Sequence, residues 1–183
     1  MLNDTEKKQL KDLARASIRH GLQSGEPLPV DPDDFGESLQ EVCASYVTLR
    51  RHGELRGCMG TVQARCPLVE DVADHAYAAA FLDSRFPRLG ERELDGLDIR
   101  ISILSPCRLM SVSSERDLLE QLRPGTDGLV LELGMREVTF LPSVWEKTPN
   151  PADFLKHLKR KAGLDPMRWD DRFRFYRYTT VEF

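Results

Sequence analysis

A cysteine flanked by glycines is the residue of this sequence that most directly suggests chemistry. It is Cys58, in the stretch GELRGCMGTV at residues 53–62. A thiolate is a nucleophile, and the pKa of a thiol falls when cations or hydrogen-bond donors lie near it. Gly57 and Gly60 leave room either for a ligand that approaches the sulfur or for a second element that packs on the backbone. The sequence therefore leaves two interpretations open: a reactive or ligand-contacting thiol, and a small buried apolar residue.

Several residues could assist such a thiol. Arg56 precedes Cys58 by two positions and shares its face of a strand. His75, on the following helix, is a candidate general base, because thiol catalysis needs a base within hydrogen-bonding reach; a packed or surface histidine is the alternative. Asp83 and Arg85, in DSRF, form either a clamp for a polar ligand or a salt bridge that fixes the loop. The candidate catalytic residues are Cys58 and His75, and the candidate ligand-binding residues are Arg56, Gly57, Gly60, Asp83 and Arg85.

The composition of the chain is that of an ordinary globular protein. Its 183 residues are 40% apolar and 31% charged, with no apolar run of the length that a membrane span requires. The start, MLNDTEKKQL, lacks the apolar region of a signal peptide, so we expect a cytoplasmic protein. Its four cysteines have neither Cys-x-x-Cys spacing nor histidines at metal-ligand spacing, which predicts no zinc site and no disulfide framework.

Charge is distributed unevenly along the chain. Residues 26–41 hold six acids and no Lys or Arg, whereas residues 151–183 hold eight bases and five acids. A chain with net charge -4 is a poor non-specific binder of nucleic acid, so the basic segment predicts solvated side chains and salt bridges instead. RFRFYRY interleaves aromatic and basic residues but lacks the motif of an RNA-recognition sheet, and Trp145 and Trp169 are predicted core residues. Phosphate-loop, dinucleotide and metalloprotease motifs are missing, so no cofactor is predicted.

The first half of the chain predicts a helix, a loop and a unit of hairpin, helix and strand. Apolar residues at helical spacing predict a helix over 4–22, capped by Asp4 or Thr5. The acidic, Pro-rich segment 23–41 predicts a surface loop. Within 42–104, two strands join at RRHGE, a helix opens at the proline after Cys66, and strict alternation over 97–103 predicts a strand covered on one face.

The second half repeats this order of elements. A short helix is predicted over about 114–122, and a second hairpin, helix and strand over 129–182. The helix begins at the proline after Asn150 and ends at Gly163, and the closing strand contains a break in alternation that predicts a bulge between Phe175 and Tyr176. Locally paired strands with packed helices predict an α+β fold with mainly antiparallel strands, and the length of the chain favours a single domain.

The sequence resembles the AMMECR-type domain, the family named for the Alport syndrome, midface hypoplasia and elliptocytosis chromosomal region. The resemblance runs in order through nearly the whole chain, in the segments YVTL (46–49), LRGCMG (55–60), DSRFPRL (83–89), LDIRISILSP (97–106), DGLVLELG (127–134), FLPSVWE (140–146) and FLKHLKRKAGL (154–164). The hexapeptide usually carries Ile where this chain has Met59, a change that conserves volume. The resemblance implies one α+β domain over 1–183, with a small subdomain and a cleft whose wall includes Cys58.

The resemblance implies no firm activity. It associates such proteins with Memo-like proteins and radical S-adenosylmethionine proteins, and so implies a role in a shared modification pathway. Two functions follow from the residues and the resemblance together. The first is an enzyme or enzyme component that binds a small polar or anionic ligand beside Cys58. The second is a non-catalytic adaptor that docks a protein partner, with its basic C-terminal region tuning association. The sequence does not decide whether the protein is an enzyme.

Overall fold

Two α+β units divide the chain in this computed structural model, which describes residues 2–183. The first unit extends to Leu104 and includes Val181–Phe183 from the C-terminus, and the second is Ser105–Thr180. The strands form two four-stranded sheets with antiparallel pairing. The predicted α+β class with antiparallel strands is therefore confirmed.

The first helix, α1, spans Asp4–Ser24 and begins one residue earlier than the predicted caps imply. Asn3 is the cap: its side chain accepts from the N–H of Glu6 at 2.9 Å, and the Glu6 carboxylate accepts from the N–H of Asn3 at 2.7 Å. This reciprocal pair satisfies two backbone donors that the first turn leaves without partners. Gly25 ends the helix with φ 80°, a conformation that glycine adopts without steric cost. The buried face is the predicted one, consisting of Leu10, Leu13, Ala14, Ser17, Ile18 and Gly21.

The acidic segment after α1 is not loop throughout. It contains a 3₁₀ turn at Pro32–Asp34 and a one-turn helix, α2, at Glu37–Gln40. The Asp31 side chain accepts from the N–H of Asp33 at 3.1 Å, which starts the first turn. Leu39 is completely buried and anchors the second turn to the core of the unit. One apolar residue thus holds the helical turn within a segment whose composition predicts loop.

A hairpin of β1, Ala44–Arg51, and β2, Glu54–Gly60, carries the GELRGCMG stretch. His52 and Gly53 form its turn with φ of 52° and 81°, a pair of left-handed residues that matches the twist of a two-residue hairpin. The register pairs Arg51 with Glu54 and then shifts by one residue, so that Leu49 lies opposite Gly57. Arg56 is the additional residue of this β-bulge.

The sheet of the first unit has the order β2-β1-β3-β8, where β3 is Leu97–Leu104 and β8 is Thr180–Glu182. One face of this sheet carries Val47 and Leu49 of β1 and Ile99 and Ile101 of β3, all of them buried. Helix α3, Leu68–Phe81, belongs to the same hydrophobic core. Its buried residues are mostly small, which lets the helix axis approach the strands closely.

The closest approach of helix and sheet is at Gly57. A Cβ atom built there would lie 2.1 Å from the carbonyl oxygen of Ala79 on α3. That is far below a van der Waals distance, and the obstacle is backbone, which cannot rotate away. Gly57 is therefore required by the packing of α3 on β2.

The sheet of the second unit has the order β4-β7-β5-β6. Its elements are β4 (Arg108–Leu109), α4 (Glu115–Gln121), β5 (Gly128–Leu133), β6 (Arg136–Phe140), α5 (Pro151–Lys161) and β7 (Arg174–Tyr178). Asn150 caps α5 as predicted, with Pro151 at its first position. Phe175 pairs with Leu131 and Tyr176 with Val130 in a continuous register, so the predicted bulge is not formed at that step.

The core of the second unit combines aromatic stacking with one buried cation. Trp145, 3% exposed, stacks on Phe154 with the ring centroids 3.8 Å apart. Lys159 is completely buried, and its Nζ donates to the Glu115 carboxylate at 2.5 Å and lies 5.9 Å from the ring of Trp169. A buried ammonium group requires such partners because its desolvation is costly. Across the described residues of both units, no helix has the length and apolar character needed to cross a membrane.

Replacing Gly57 with alanine is expected to destabilise the protein by about 1–3 kcal/mol, because the added methyl group displaces the α3 backbone. Urea denaturation measures the change. Gly36→Ala is the matched control: a Cβ there meets no atom within 4 Å and Gly36 has an ordinary negative φ, so the free energy of unfolding should stay within about 0.5 kcal/mol of the wild type. Equal stability of the two variants would contradict the packing role of Gly57.

Candidate thiol site at Cys58

Cys58 lies on the face of the first sheet that points away from α3. Its register partner is Thr48, and successive strand residues alternate between faces, so both lie opposite the buried Val47 and Leu49. The Thr48 Oγ1 atom is 3.3 Å from the Cys58 Sγ atom. As a residue, Cys58 is partly exposed and not part of the buried core.

The backbone of Cys58 is held by Asp83 and Arg85. The N–H of Cys58 donates to Asp83 Oδ2 at 2.9 Å, and Arg85 Nη2 donates to the Cys58 carbonyl oxygen at 3.3 Å. Because β2 is the edge strand of its sheet, these two groups face outward, and the side chains occupy the place of a neighbouring strand. Asp83 and Arg85 thus fix the position of Cys58 along the edge.

Asp83 and Arg85 also bind each other in a two-point ion pair. Arg85 Nε donates to Asp83 Oδ1 at 2.9 Å and Arg85 Nη2 donates to Asp83 Oδ2 at 2.6 Å. The Asp83 carboxylate is 5% exposed, whereas the Arg85 side chain is 55% exposed. Such fork-to-fork pairs fix the guanidinium plane as well as its position. The salt bridge that fixes the loop is therefore present, and one side of the guanidinium still meets solvent.

The electrostatics of the site link Arg85 to the thiol. Hydrogen bonds from Arg85, with others from the N–H groups of Cys58 and Arg85, lower the pKa of Asp83 to about 2 although burial opposes this. The pKa of Arg85 is raised, mainly by the Asp83 carboxylate, and the Cys58 side chain adds to the rise through its charge and a hydrogen bond. The Arg85 guanidinium therefore interacts with the Cys58 side chain as well as with its backbone.

Arg56 is committed to a different carboxylate. Its Nε and Nη2 atoms donate to the two oxygens of Glu93 at 2.8 and 3.0 Å, and this pairing lowers the pKa of Glu93 to about 2. Its remaining nitrogen, Nη1, is buried and has no hydrogen-bond partner among residues 2–183. The Phe86 ring lies 6.0 Å from the Arg56 guanidinium and 5.6 Å from that of Arg85. Phe86 is thus a shared contact of the two predicted ligand-binding arginines.

Protein atoms fill the space beside the two glycines. At Gly57 the neighbour is the Ala79 carbonyl group of α3, and at Gly60 a Cβ would overlap the Tyr46 ring and the Ser45 carbonyl oxygen. The glycines therefore serve close packing within the chain. Contact of their backbone with a ligand stays a prediction.

His75 is not brought together with Cys58. Its Nδ1 atom lies 3.1 Å from Asp71 Oδ2, and the same carboxylate oxygen accepts from the N–H of Ser45 at 2.8 Å and from its hydroxyl at 2.6 Å. Ser45 is two residues before Val47 on β1 and faces α3, whereas the Cys58 side chain faces the other way. The backbone of the sheet separates the two predicted catalytic residues, so the geometry gives His75 a structural partner and not the thiol.

The other three cysteines have electrostatic environments that disfavour a thiolate. Burial and nearby carboxylates raise the pKa of the Cys43 and Cys66 thiols, and burial, with a contribution from Glu137, raises that of Cys107. No disulfide bond joins any of the four cysteines, all of which lie in the described part of the chain. Among the described residues, no group of three or more histidine, cysteine, aspartate and glutamate side chains is arranged so that it could hold a metal ion.

Three residues of the site were not identified from the sequence: Thr48, Phe86 and Glu93. A hairpin register counted without a bulge would place Thr48 opposite Gly57, so only the bulge brings Thr48 to Cys58. Phe86 stands beside Arg85 in DSRFPRL, and an aromatic residue next to an arginine is a usable signal for cation–π contact. Glu93 is 37 residues from Arg56 and carries no local signal.

Comparison with known proteins decides the family. The AMMECR1 sequence profile matches residues 11–183. The chain belongs to the AMMECR1 family. It is 34% identical over 179 residues to a protein of Methanothermobacter thermautotrophicus, covering 97% of this chain and 93% of that protein. A protein of Methanocaldococcus jannaschii is 35% identical over 159 residues, covering 85% and 78% of the two chains.

The chain also matches a solved structure. The crystal structure of an uncharacterized protein from Pyrococcus horikoshii superposes with a TM-score of 0.90 at 31% identity, covering 99% of this chain and 92% of that one. The resemblance found in the sequence is confirmed at the level of family and fold. The names of these relatives state no activity, so the function of this chain rests on its own site.

The ion pair of Asp83 makes stability depend on pH in a defined direction. Because the pKa of Asp83 is about 2 in the folded protein and about 3.9 when unfolded, the ionised carboxylate stabilises the fold above pH 4 and loses this contribution as pH falls toward 2. The difference in unfolding free energy between wild type and Asp83→Asn should shrink by about 1 kcal/mol from pH 6 to pH 3.

Urea denaturation at several pH values measures that difference. Asp95→Asn is the control, because Asp95 is exposed on the 3₁₀ turn before β3, and its stability should follow the wild-type curve with pH. A constant difference between wild type and Asp83→Asn across this pH range would show that the carboxylate is not specifically stabilised in the fold.

Proposed function

We propose that this AMMECR1-family protein is an enzyme or enzyme component that presents Cys58 as a reactive thiol to a small polar or anionic ligand. The observation that supports this most directly is the Arg85 guanidinium, which is held by the buried Asp83 carboxylate and interacts with the Cys58 side chain. A thiol with a fixed cation beside it is poised for nucleophilic chemistry.

The influence of the two groups on each other is reciprocal. An interaction with Cys58 that favours the charged form of Arg85 equally favours the thiolate over the thiol, because both effects are the same interaction energy. Arg85 keeps its position without the thiolate, since Asp83 binds it at two points. The site is therefore preorganised, and little reorganisation is needed when the sulfur becomes charged.

The preference for an anionic or polar ligand follows from the arginines around the thiol. Arg85 is about half exposed and can meet a carboxylate or phosphate group while it remains paired with Asp83. Arg56 offers a further nitrogen, Nη1, that is buried without a hydrogen-bond partner in residues 2–183. An unsatisfied buried donor is costly, so a ligand oxygen there would be favoured.

The protein partners and the cellular compartment of this activity are predictions from the sequence. The resemblance implies Memo-like and radical S-adenosylmethionine proteins as partners in a modification pathway, and the cysteine content predicts a reducing, cytoplasmic compartment.

The test is the pH dependence of alkylation at each cysteine, followed with iodoacetamide and peptide mass spectrometry. Cys58 should react at neutral pH while Cys43, Cys66 and Cys107 need more alkaline solution, because their raised pKa values keep them protonated. Arg85→Gln should slow the neutral reaction of Cys58 by roughly tenfold, and Arg85→Lys should restore part of the rate.

Arg92→Gln is the matched control, since it removes a positive charge from an exposed position of the 3₁₀ turn that carries Glu93. Its Cys58 profile should equal that of the wild type. If Cys58 titrates together with the other three cysteines, or if Arg85→Gln leaves its profile unchanged, the reactive-thiol proposal is wrong and the non-catalytic adaptor becomes the better hypothesis.

A further inference from the structure

Two other cysteines, Cys43 and Cys66, lie opposite each other at the base of the β1–β2 hairpin. An isolated antiparallel bridge pairs Val42 with Pro67. In antiparallel pairing each step forward on one segment is a step back on the other, so the next pair along the chain is Cys43 and Cys66. Residues 23 positions apart in the sequence are thereby made neighbours.

The bridge also limits the distance between the two residues. On its other side, the N–H of Leu68 donates to the carbonyl oxygen of Glu41 at 2.9 Å. Opposed residues of paired antiparallel segments have Cα atoms about 4.5–5.5 Å apart, within the range of about 4.4–6.8 Å that disulfide bonds span.

The carboxylate of Asp71 acts on both thiols. Burial is the main cause of the raised pKa of both thiols, and the charge of Asp71 contributes to each. Asp71 is the residue that binds Ser45 on the α3 side of β1. The other charged groups that act on the pair are Glu41 at Cys43, and Glu70 and Asp74 at Cys66. The charge of one carboxylate therefore reaches both thiols.

Cys58 is excluded as the partner of either thiol by the faces of the sheet. Cys43 is two residues before Ser45 and packs against the core that α3 covers. The Cys58 sulfur contacts Thr48 on the opposite face. The dithiol pair is therefore a site separate from the candidate thiol site.

We propose that Cys43 and Cys66 form a dithiol site that a peroxide oxidises to a disulfide bond. One thiol releases its proton and the resulting thiolate attacks hydrogen peroxide; the S–O bond forms, the O–O bond breaks, and the hydroxide that leaves takes up that proton to become water, so a sulfenic acid remains. The second thiolate then attacks that sulfur; the S–S bond forms, the S–O bond breaks, and the hydroxide that leaves takes up a proton to become a second water. Both sulfurs are oxidised, and the peroxide is reduced.

The disulfide would close residues 43–66 into a loop that contains the whole β1–β2 hairpin, including Cys58. It would join the start of β1 to the residue that precedes the Pro67 cap of α3. A crosslink of this kind stabilises the fold by restricting the unfolded chain. Because burial and the nearby carboxylates raise the pKa of both thiols, the reaction should be slow at neutral pH and faster above the usual thiol pKa of about 8.5.

The experiment uses the full-length Cys58→Ser variant, so that its outcome does not depend on the proposed function of Cys58. The protein is treated with hydrogen peroxide at neutral and alkaline pH, the remaining thiols are alkylated, and the unreduced tryptic peptides are mapped. The expected product has lost two hydrogens and contains one peptide pair joined through Cys43 and Cys66. Its melting temperature should lie above that of the reduced protein and return after treatment with dithiothreitol.

Three further variants separate pairing from general oxidation. Cys43→Ser and Cys66→Ser should each abolish the crosslinked product, whereas Cys107→Ser should retain it. The proposal is overturned if the peroxide adds oxygen to Cys43 while Cys66 remains open to alkylation, or if the disulfide that forms includes Cys107. If a serine variant does not fold, the peptide map of the parent protein alone decides between these outcomes.

Discussion

The single additional residue in β2 is the constraint on which the rest of the first unit depends. After the two-residue turn at His52 and Gly53, the hairpin pairs regularly for two positions and then shifts by one at Arg56. Side chains alternate between the faces of a strand, so a shift of one residue exchanges every later side chain between the two faces. The bulge places Gly57 beneath α3 and turns Cys58 to the other face. Without it, a cysteine side chain would meet the helix backbone.

The second determinant of the site is the carboxylate of Asp83. This one group accepts from the Cys58 backbone, from the Arg85 backbone and from two nitrogens of the Arg85 side chain. The edge strand is thereby closed by side chains at Cys58, and the Arg85 guanidinium is fixed at the Cys58 carbonyl group at the same time. The interactions that lower the pKa of Asp83, and so stabilise the fold above pH 4, are also those that position Arg85.

The two faces of the first sheet have different characters. On the face that α3 covers, the buried Asp71 carboxylate binds the side chains of Ser45 and His75. The negative charge of Asp71 also acts on the thiols of Cys43 and Cys66. There burial and the negative charge raise the pKa of both thiols. On the other face the Arg85 guanidinium interacts with the Cys58 side chain and donates to its carbonyl oxygen. The charged groups that act on these cysteines therefore differ in sign between the two faces.

The sequence by itself determined the elements and their order, because helical periodicity, strand alternation and Pro, Gly and Asn caps are local signals. It predicted α1 to within two residues, the β1–β2 hairpin with its turn at Gly53, and the Asn150 cap of α5. It also predicted the pairing of Asp83 with Arg85, whose members are two residues apart. Which residues face each other was decided only by the tertiary structure. A bulge moves the register by one position without a reliable sequence signal, and pairs such as Arg56 with Glu93 join residues that only the folded chain brings together. For the same reason His75, predicted beside Cys58, lies instead with Asp71 on the other side of the sheet.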